Sequence, residues 1–427
     1  MIKLTNSTAY LHKAEKLIPA LSQTFSKAPY SYVQGVYPVY LKSGKGSHVF
    51  DVDGNKFIDY VLALGPITLG YSYGPVNKAI KKQLKDGISF SMPHYLEVEL
   101  SEKLVKIIPG TDMVKFTKTG SDAGTAAIRA ARALTKKEKI LYWGSGGVWH
   151  DWFTTITSRN KGIPKFNQEL ISKFEYNNIE NLKEKFDEWK DEVAAIYMEP
   201  MIFEHPKENY LENVKKIAHK NNAVLIFDEV VTGFRYAKGG ASEYLKIEPD
   251  IAVWGKGIAN GMPLGTITGK SEYMKIFDEI FYSTSYAGEA LSLAAGIAVI
   301  DEIETKPVIE HLWKTGKKLH DGFNNITKEN DLDFKIEGIP VRGSIVCKDE
   351  KGNVSNLIKS VLLQELIQKG IMFGPGAVFV SYSHSRKDIR FTLDGIQSCL
   401  KKIQKEIKNG KIEKMLKGKE MKKVMTF

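Results

Sequence analysis

The chain has 427 residues, 43% of them hydrophobic and 11% aromatic, so it can bury a large core and is too long for one ordinary domain. This composition excludes a disordered chain, and the absence of any run of about 18 apolar residues excludes a membrane span. The net charge is +11, but much of the excess is lysine in residues 401–423, a pattern typical of a solvated helix face rather than of a nucleic-acid site.

The two cysteines, Cys347 and Cys399, fit neither a disulfide framework nor the spacing of a metal site. The first residues, MIKLTNSTAYLHKAEKLIPA, lack the apolar core of a secretory signal. We therefore expect a cytoplasmic protein that uses no metal, no membrane and no nucleic acid.

In chain order, residues 1–34 predict a helix and a loop. Residues 46–60 (GSHVFDVDGNKFIDY) predict a β-hairpin, because apolar strands flank the turn sequence Asp53-Gly54-Asn55. A glycine-rich loop follows (LALGPITLGYSYG). Two helices come next, the first with Pro75 in its first turn and the second over residues 97–108.

From Met113 onward strands alternate with helices, and this alternation predicts an α/β fold with a doubly wound, mostly parallel sheet. We expect the large domain to cover residues 65–308. Residues 309–427 alternate differently and predict a smaller α+β domain. The N-terminal segment, residues 1–64, is expected to pack with that smaller domain.

Two predicted strands end in ionisable groups. The run AVLIF ends in Asp228 and Glu229, and the run IAVW ends in Gly255, Lys256 and Gly257. Ligands of open parallel sheets bind at the carboxyl ends of the strands. Lys256 is therefore a candidate Schiff-base nucleophile or, alternatively, an ordinary loop lysine. Asp228 is a candidate metal ligand, general base, partner of a ring nitrogen or member of a structural salt bridge, whereas Glu229 points the other way and is expected to be structural.

A possible anion site precedes the alanine-rich helix. Thr119, Gly120, Ser121 and Asp122 lie between a strand and that helix, where exposed amides and the helix dipole bind anions. A simple helix cap is the alternative. An anion site, a carboxylate and a lysine together fit pyridoxal phosphate, because the cofactor carries a phosphate, a basic ring nitrogen and an aldehyde.

The chain resembles the class III aminotransferases of pyridoxal-phosphate fold type I, and within them the glutamate-1-semialdehyde aminomutase branch. The resemblance runs from about residue 35 to 400. It is carried by VFDVDGNKFIDY, GPITLGY, LEVELSEKLV, KTGSDAGTAAIRAARALT, IYMEP, LIFDEVVTGFR, PDIAVWGKGIANGMPLG and SYAGEALSLAAG. It implies a mostly parallel seven-stranded sheet with helices on both faces.

The resemblance also implies roles for single residues. Lys256 is the Schiff-base lysine and proton shuttle, Asp228 pairs with the pyridine nitrogen, and Val230 packs on one ring face. Thr119, Gly120 and Ser121 bind the phosphate, and Glu199 of IYMEP belongs to the cofactor site. Thr284 and Ser285 match a phosphate-contacting Gly-Thr pair that reaches across from a partner subunit, so a homodimer with shared active sites is expected.

Three departures from the family pattern are visible. The Tyr-His-Gly that stacks on the cofactor is replaced by GSGGVWHDWF, in which Trp149 or His150 is the candidate for that role. The aminomutase's Ser-Trp-Gly-Pro is Ala63-Leu64-Gly65-Pro66 here, and its glutamate near the C-terminal Ser-x-x-His segment is missing. The last two differences favour a relative that transfers an amino group onto a second molecule.

The resemblance thus implies ping-pong transfer from a small amino donor to a carbonyl acceptor. An intramolecular aminomutase, a type of isomerase, is the alternative, followed by a decarboxylase or dehydratase. Arg159, Arg386 and Arg390 are candidates for binding a substrate carboxylate or phosphate, or else are surface residues.

Overall fold

The computed structural model of the protein describes residues 2–144 and 148–422. The chain divides into two compact units. One is continuous and covers Gly74–Ile309, and the other combines the chain up to Tyr73 with the chain from Glu310 onward.

The α-helices of the described residues, in chain order, are α1 Thr5–Leu17, α2 Gly74–Leu84, α3 Leu96–Ile107, α4 Gly120–Thr135, α5 Asp151–Thr154, α6 Ile179–Glu188, α7 Tyr210–Lys220, α8 Gly240–Leu245, α9 Ser271–Met274, α10 Ala290–Thr305, α11 Val308–Glu329, α12 Asn356–Ile367, α13 Arg386–Lys408 and α14 Ile412–Met415.

The β-strands of the same residues are β1 Leu41–Lys45, β2 His48–Asp51, β3 Lys56–Asp59, β4 Met113–Thr117, β5 Lys139–Trp143, β6 Ile171–Lys173, β7 Val193–Met198, β8 Val224–Asp228, β9 Ile251–Trp254, β10 Gly265–Gly269, β11 Phe334–Ile339, β12 Arg342–Cys347, β13 Ile371–Met372 and β14 Ala377–Val378.

The unit Gly74–Ile309 is built on a seven-stranded sheet in the order β4-β10-β9-β8-β7-β5-β6. From β9 to β6 every pair of neighbours is parallel, whereas β10 runs antiparallel to both β4 and β9. The predicted α/β fold with a mostly parallel sheet is confirmed.

Helices cover both faces of this sheet, because its central strands are apolar on both sides. β7 and β8 are buried along their whole length. Tyr197 and Ile226 face the core that contains α4, while Ile196 and Phe227 face the core that contains α7. This alternation decides which side chains arrive on the α4 side at the ends of the strands.

The other unit contains two smaller sheets, in the orders β1-β2-β3-β13 and β11-β12-β14. The predicted hairpin is present, since β2 and β3 pair in antiparallel fashion on either side of the Asp53-Gly54-Asn55 turn. Across residues 2–144 and 148–422, no helix has the length and apolarity required to span a bilayer.

Candidate active site

The site begins with Asp228, the last residue of β8. Its side chain is 3% exposed. One carboxylate oxygen accepts the backbone N–H of Val230 at 3.0 Å, and the other accepts the hydroxyl of Tyr197 at 2.7 Å. A carboxylate this deeply buried is stable only when polar or positively charged groups surround it.

The groups around Asp228 do not fully stabilise the negative charge of its ionised carboxylate. Burial and the nearby charge of Glu199 raise the pKa of Asp228 to about 7, although Tyr197, Val230 and the Lys256 ammonium oppose the increase. A cationic N–H donor at this carboxylate would favour its ionised form. The protonated nitrogen of a pyridine ring is a donor of that kind.

Lys256 lies in the segment that follows β9, the strand next to β8. Asp228 of β8 pairs with Val253 of β9, and Lys256 follows three residues later. The lysine is half-buried between two buried glycines, and its φ of +42° is in the left-handed region, which a non-glycine residue adopts at a cost. Its charge is close enough to influence Asp228. The structure therefore brings together the two ionisable groups singled out in the sequence.

The beginning of α4 supplies an anion cradle, formed by Thr119, Gly120 and Ser121. Thr119 caps the helix, because its side chain accepts the N–H of Asp122 at 3.1 Å and its own N–H donates to the Asp122 carboxylate at 2.8 Å. The helix dipole adds positive potential at this end. The capping box fixes this helix end, and its role as an anion site stays a prediction.

Glycines allow the cradle to approach the lysine segment. A Cβ on Gly120 would lie 2.6 Å from a methyl group of Val230, and a Cβ on Gly255 would lie 3.5 Å from the Gly120 nitrogen. Gly120, Val230 and Gly255 therefore meet directly. The cradle, the segment after Asp228 and the segment before Lys256 form one cluster at the end of the sheet.

Glu199 follows β7 and is 3% exposed. Its N–H donates to the Trp143 carbonyl at 3.2 Å, and its side chain fills the space beside Gly144, where a Cβ would lie 3.2 Å from Oε1. Glu199 raises the pKa of Asp228 through its charge. It belongs to the electrostatic surroundings of Asp228.

Tyr197 was missed in the sequence. It stands two residues before Glu199 on β7, so the period-two alternation of a strand places both side chains on the same face. That alternation, in a strand adjacent to one ending in a carboxylate, was the available signal. To place Tyr197 beside Asp228, the register between β7 and β8 must also be known. That register is given by the pairing of Tyr197 with Ile226 in the folded protein.

Trp149 and His150 are bound to α4. The N–H of Trp149 donates to the Ser121 hydroxyl at 3.3 Å. His150 places Nδ1 against the Thr125 hydroxyl and Nε2 3.6 Å from the Asp122 carboxylate. Burial lowers the pKa of His150 despite the Asp122 charge, and the Trp149 side chain is 66% exposed.

These contacts fix Trp149 and His150 beside α4, and the expected stacking of one of them on the cofactor stays a prediction. Both ring nitrogens of His150 are directed at α4, so the residue attaches its segment to the helix that carries the cradle. Residues 145–147, which precede it in GSGGVWHDWF, lie outside the described residues.

Thr284 and Ser285 are exposed in the loop before α10. They line a surface cavity of about 770 Å³ together with residues 89–94. Phe281 and Tyr286 beside them are 85% and 66% exposed. The loop thus presents its hydroxyl groups outward. Arg159, Arg386 and Arg390 are also exposed.

Glu229 has a structural environment. It is fully buried and accepts the N–H groups of Ala241 and Ser242 at 2.8 and 2.7 Å, as well as the Ser242 hydroxyl at 2.5 Å and the Thr232 hydroxyl. Ala241 and Ser242 lie at the beginning of α8. Glu229 therefore stabilises that helix end, while Asp228 next to it faces the cluster.

The residues of the cluster fit pyridoxal phosphate. The buried carboxylate of Asp228 matches a protonated ring nitrogen. The beginning of α4 matches a phosphate, and Gly120 there has no side chain that would block it. Lys256 completes the set with an amine. No group of three or more histidine, cysteine, aspartate or glutamate side chains in residues 2–144 and 148–422 is arranged to hold a metal ion.

Comparisons with known proteins agree with this chemistry. The family Aminotransferase class-III matches residues 30–403. The 3-aminobutyryl-CoA aminotransferase of Cloacimonas acidaminovorans is 32% identical over 95% of this chain and 99% of its own length. The glutamate-1-semialdehyde 2,1-aminomutase of Methanosphaera stadtmanae is 33% identical over 86% of this chain and 93% of its own length.

Among solved structures, the FumI protein of Sphingopyxis sp. MTA144, determined with PLP, superimposes with a TM-score of 0.89 at 25% identity and covers 96% of this chain and 100% of its own. The predicted fold type, enzyme class and cofactor are confirmed: the protein is an enzyme, a transaminase, and its cofactor is pyridoxal phosphate. The chain belongs to the class-III aminotransferase family.

Proposed function

We propose that the cluster around Asp228 and Lys256 transfers an amino group from a small amino donor to a separate carbonyl acceptor in two half-reactions. The observation that carries this proposal is the convergence of Asp228, Lys256 and the anion cradle at one end of the sheet. The continuous unit Gly74–Ile309 acts as the cofactor-binding domain, since it contains all three.

Each residue of the cluster has one task in holding the cofactor. Asp228 binds the ring nitrogen, oriented by Tyr197 and the Val230 amide. Gly120 and Ser121 bind the phosphate, with Thr119 capping the same helix, and the Val230 side chain packs on one ring face. When bound, pyridoxal phosphate supplies an aldehyde carbon and a ring that withdraws electrons from the substrate's α-carbon.

Lys256 has two tasks. Its Nζ would hold the aldehyde carbon of the cofactor, and the same amine, once free, would carry a proton between the α-carbon of the donor and that cofactor carbon. The flanking residues Gly255 and Gly257 are buried, and Lys256 itself is half-buried. A general base within reach of the reacting carbon accelerates such proton transfers by roughly 10²–10⁴-fold.

Two candidate reactions differ in the molecule that receives the amino group: a second molecule in an aminotransferase, and the same molecule in an aminomutase. The relative from Cloacimonas is an aminotransferase, whereas the one from Methanosphaera is an aminomutase, and the two are almost equally similar to this chain. Ala63 and Leu64 replace the aminomutase's Ser-Trp pair, and its glutamate near the Ser-x-x-His segment is missing. These differences favour transfer to a second molecule, with the aminomutase as the second candidate.

We propose further that the active enzyme is a homodimer with shared sites. The loop with Thr284 and Ser285 exposes the rings of Phe281 and Tyr286, and Phe90 and Met92 across the cavity are 49% and 76% exposed. A second copy would cover these side chains and receive the two hydroxyl groups at its phosphate site. Sedimentation of the purified protein tests this, and a monomer that is fully active would contradict it.

A cytoplasmic location completes the proposal. Cys347 and Cys399 are both free and buried, and burial raises the pKa of each thiol to about 12. Inert thiols without disulfides are typical of a reducing compartment. Fractionation of the source cells tests the location.

The reaction is tested by supplying single amino donors to the purified enzyme and following the visible spectrum of the bound cofactor. A donor that converts the spectrum, followed by its restoration on addition of a carbonyl acceptor, supports ping-pong transfer. Formation of an isomer of one substrate, without any second molecule, supports the aminomutase instead.

The residue assignment is tested by reduction with borohydride and peptide mass spectrometry. The label is expected on Lys256, and the Lys256→Ala variant is expected to lose both the label and turnover. Turnover by that variant at the wild-type rate would exclude Lys256 as the catalytic amine.

A further inference from the structure

Lys118 and Glu289 form an ion pair beside the anion cradle. Lys118 directly precedes Thr119, and its Nζ lies 2.7 Å from Glu289 Oε1 and 3.3 Å from the Ser292 hydroxyl. The two charged side chains are 23% and 9% exposed. Because a partly buried pair is screened less than a surface pair, it holds its partners more firmly.

Glu289 is fixed by more than the lysine. It caps α10, since its carboxylate accepts the N–H groups of Leu291 and Ser292 at 2.9 and 3.1 Å and the Ser292 hydroxyl. Burial alone would raise the pKa of Glu289, but Lys118 and these donors hold it below its ordinary value. Glu289 is therefore a rigid, ionised anchor at the beginning of a 16-residue helix.

The pair connects two elements that the proposed function assigns to phosphate binding. Lys118 adjoins Thr119 of the cradle at the beginning of α4. Glu289 closes the loop with Thr284 and Ser285, and hydrogen bonds within that loop run from Ala287 to Thr284 and from Glu289 to Tyr286. Gly288 packs so closely on Glu97 that a Cβ there would lie 2.5 Å from its carboxylate.

We propose that Lys118 and Glu289 are positioning residues that fix the Thr284–Ser285 loop relative to the anion cradle and thereby set the affinity for the cofactor phosphate. This inference rests on the proposed function. In the homodimer, the loop serves the partner's phosphate, so each pair links the cradle of one subunit to the site of the other.

The pair holds the loop because opposite charges on Lys118 and Glu289 join the beginnings of α4 and α10. The beginnings of α4 and α10 both carry positive helix-dipole potential, which favours a negative charge such as the Glu289 carboxylate at the α10 end. Glu289 neutralises the end of α10, and Lys118 bridges it to the chain at α4. Loss of the Lys118 charge leaves Glu289 nearly buried without its cation, so we expect the loop to move away from its present position.

The test compares binding of pyridoxal phosphate to the apoenzyme dimer, measured by titration calorimetry, among Lys118→Met, Glu289→Gln and the double variant. Glutamine keeps an oxygen for the α10 cap. We expect each single variant to raise Kd about tenfold and the double variant to be no weaker than the singles, since coupled residues are not additive. Lys118→Arg, which keeps the charge, is expected to remain within about twofold of wild type.

Lys103→Met is the matched control, because Lys103 forms a 2.6 Å ion pair with Asp301 on the more exposed surface of the same unit. It should not change Kd. The inference is overturned if Lys118→Met lowers the melting temperature of the apoenzyme but leaves Kd unchanged, which is the behaviour of a purely structural pair. If wild-type apoenzyme itself fails to bind pyridoxal phosphate, the proposed function is overturned instead, and this inference with it.

Discussion

Tyr197 donates its hydroxyl to Asp228 at 2.7 Å from the neighbouring strand. Tyr197 pairs with Ile226, so Asp228, two residues later, projects from the same face of the sheet. Burial and the charge of Asp228 raise the pKa of Tyr197 far above its ordinary value, which keeps the phenol protonated as a donor. The pair orients the carboxylate that we assign to the ring nitrogen of the cofactor.

Removal of this hydroxyl is expected to impair the site without unfolding it. In Tyr197→Phe the aromatic ring still packs on Trp152, whose centroid lies 5.2 Å away. The lost bond to a charged group corresponds to about 1.5–3 kcal/mol, or roughly a tenfold to hundredfold loss in kcat/KM. Tyr142→Phe, in the same core, is the control. Equal activity of the two variants would contradict the role of Tyr197.

Asp228→Asn is expected to change the pH dependence of apoenzyme stability. The pKa of Asp228 is raised from 3.8 to about 7, so the folded state binds this proton more tightly than the unfolded state. Its contribution is fully present below about pH 4 and is lost as the pH rises to about 7.

The comparison therefore requires denaturation of both apoenzymes at low and neutral pH. Between these values the wild type should lose more stability than Asp228→Asn, because asparagine does not ionise. The same variant should lose most of its turnover. Parallel stability profiles would show that Asp228 is ionised in the apoenzyme at both pH values.

Gly120→Ala is expected to displace the cradle. The new methyl group would lie 2.6 Å from a Val230 methyl, and overpacking of this kind costs about 1–3 kcal/mol. We expect at least tenfold weaker cofactor binding, measured by titration. Gly120→Ala combined with Val230→Ala should recover part of the loss. Gly74→Ala, where a Cβ meets no atom within 4 Å, is the control, and a similar loss there would refute the steric explanation.

Glu229→Gln is expected to destabilise the fold and spare the cofactor. Both carboxylate oxygens accept backbone N–H groups, so an amide must turn its NH₂ group towards a donor. Leaving a buried donor without an acceptor costs about 1–3 kcal/mol, which chemical denaturation will measure. The cofactor spectrum should remain normal. A variant that is stable but colourless would reverse our assignment of the two adjacent acids.

Local patterns in the sequence were sufficient for the strands that end in Asp228 and Lys256 and for the cap of α4. Apolar runs of strand length and a glycine beside serine and aspartate are short-range signals. The antiparallel strand β10 was not predicted, because its segment GTITG is only 5 residues long and is bounded by glycines, which are typical of loops. The outward direction of Thr284 and the attachment of His150 to α4 also required the fold, since both depend on contacts distant in sequence.

The sequence by itself determined the residue types of the site and the order in which they occur, because strand ends and helix caps are encoded within a few residues. Only the tertiary structure decided which of them meet. The register between β7, β8 and β9 places Tyr197 and Asp228 on one face and brings Lys256 alongside. The pairing of Lys118 with Glu289, 171 residues apart, likewise follows from the packing of two helix ends, which no local pattern specifies.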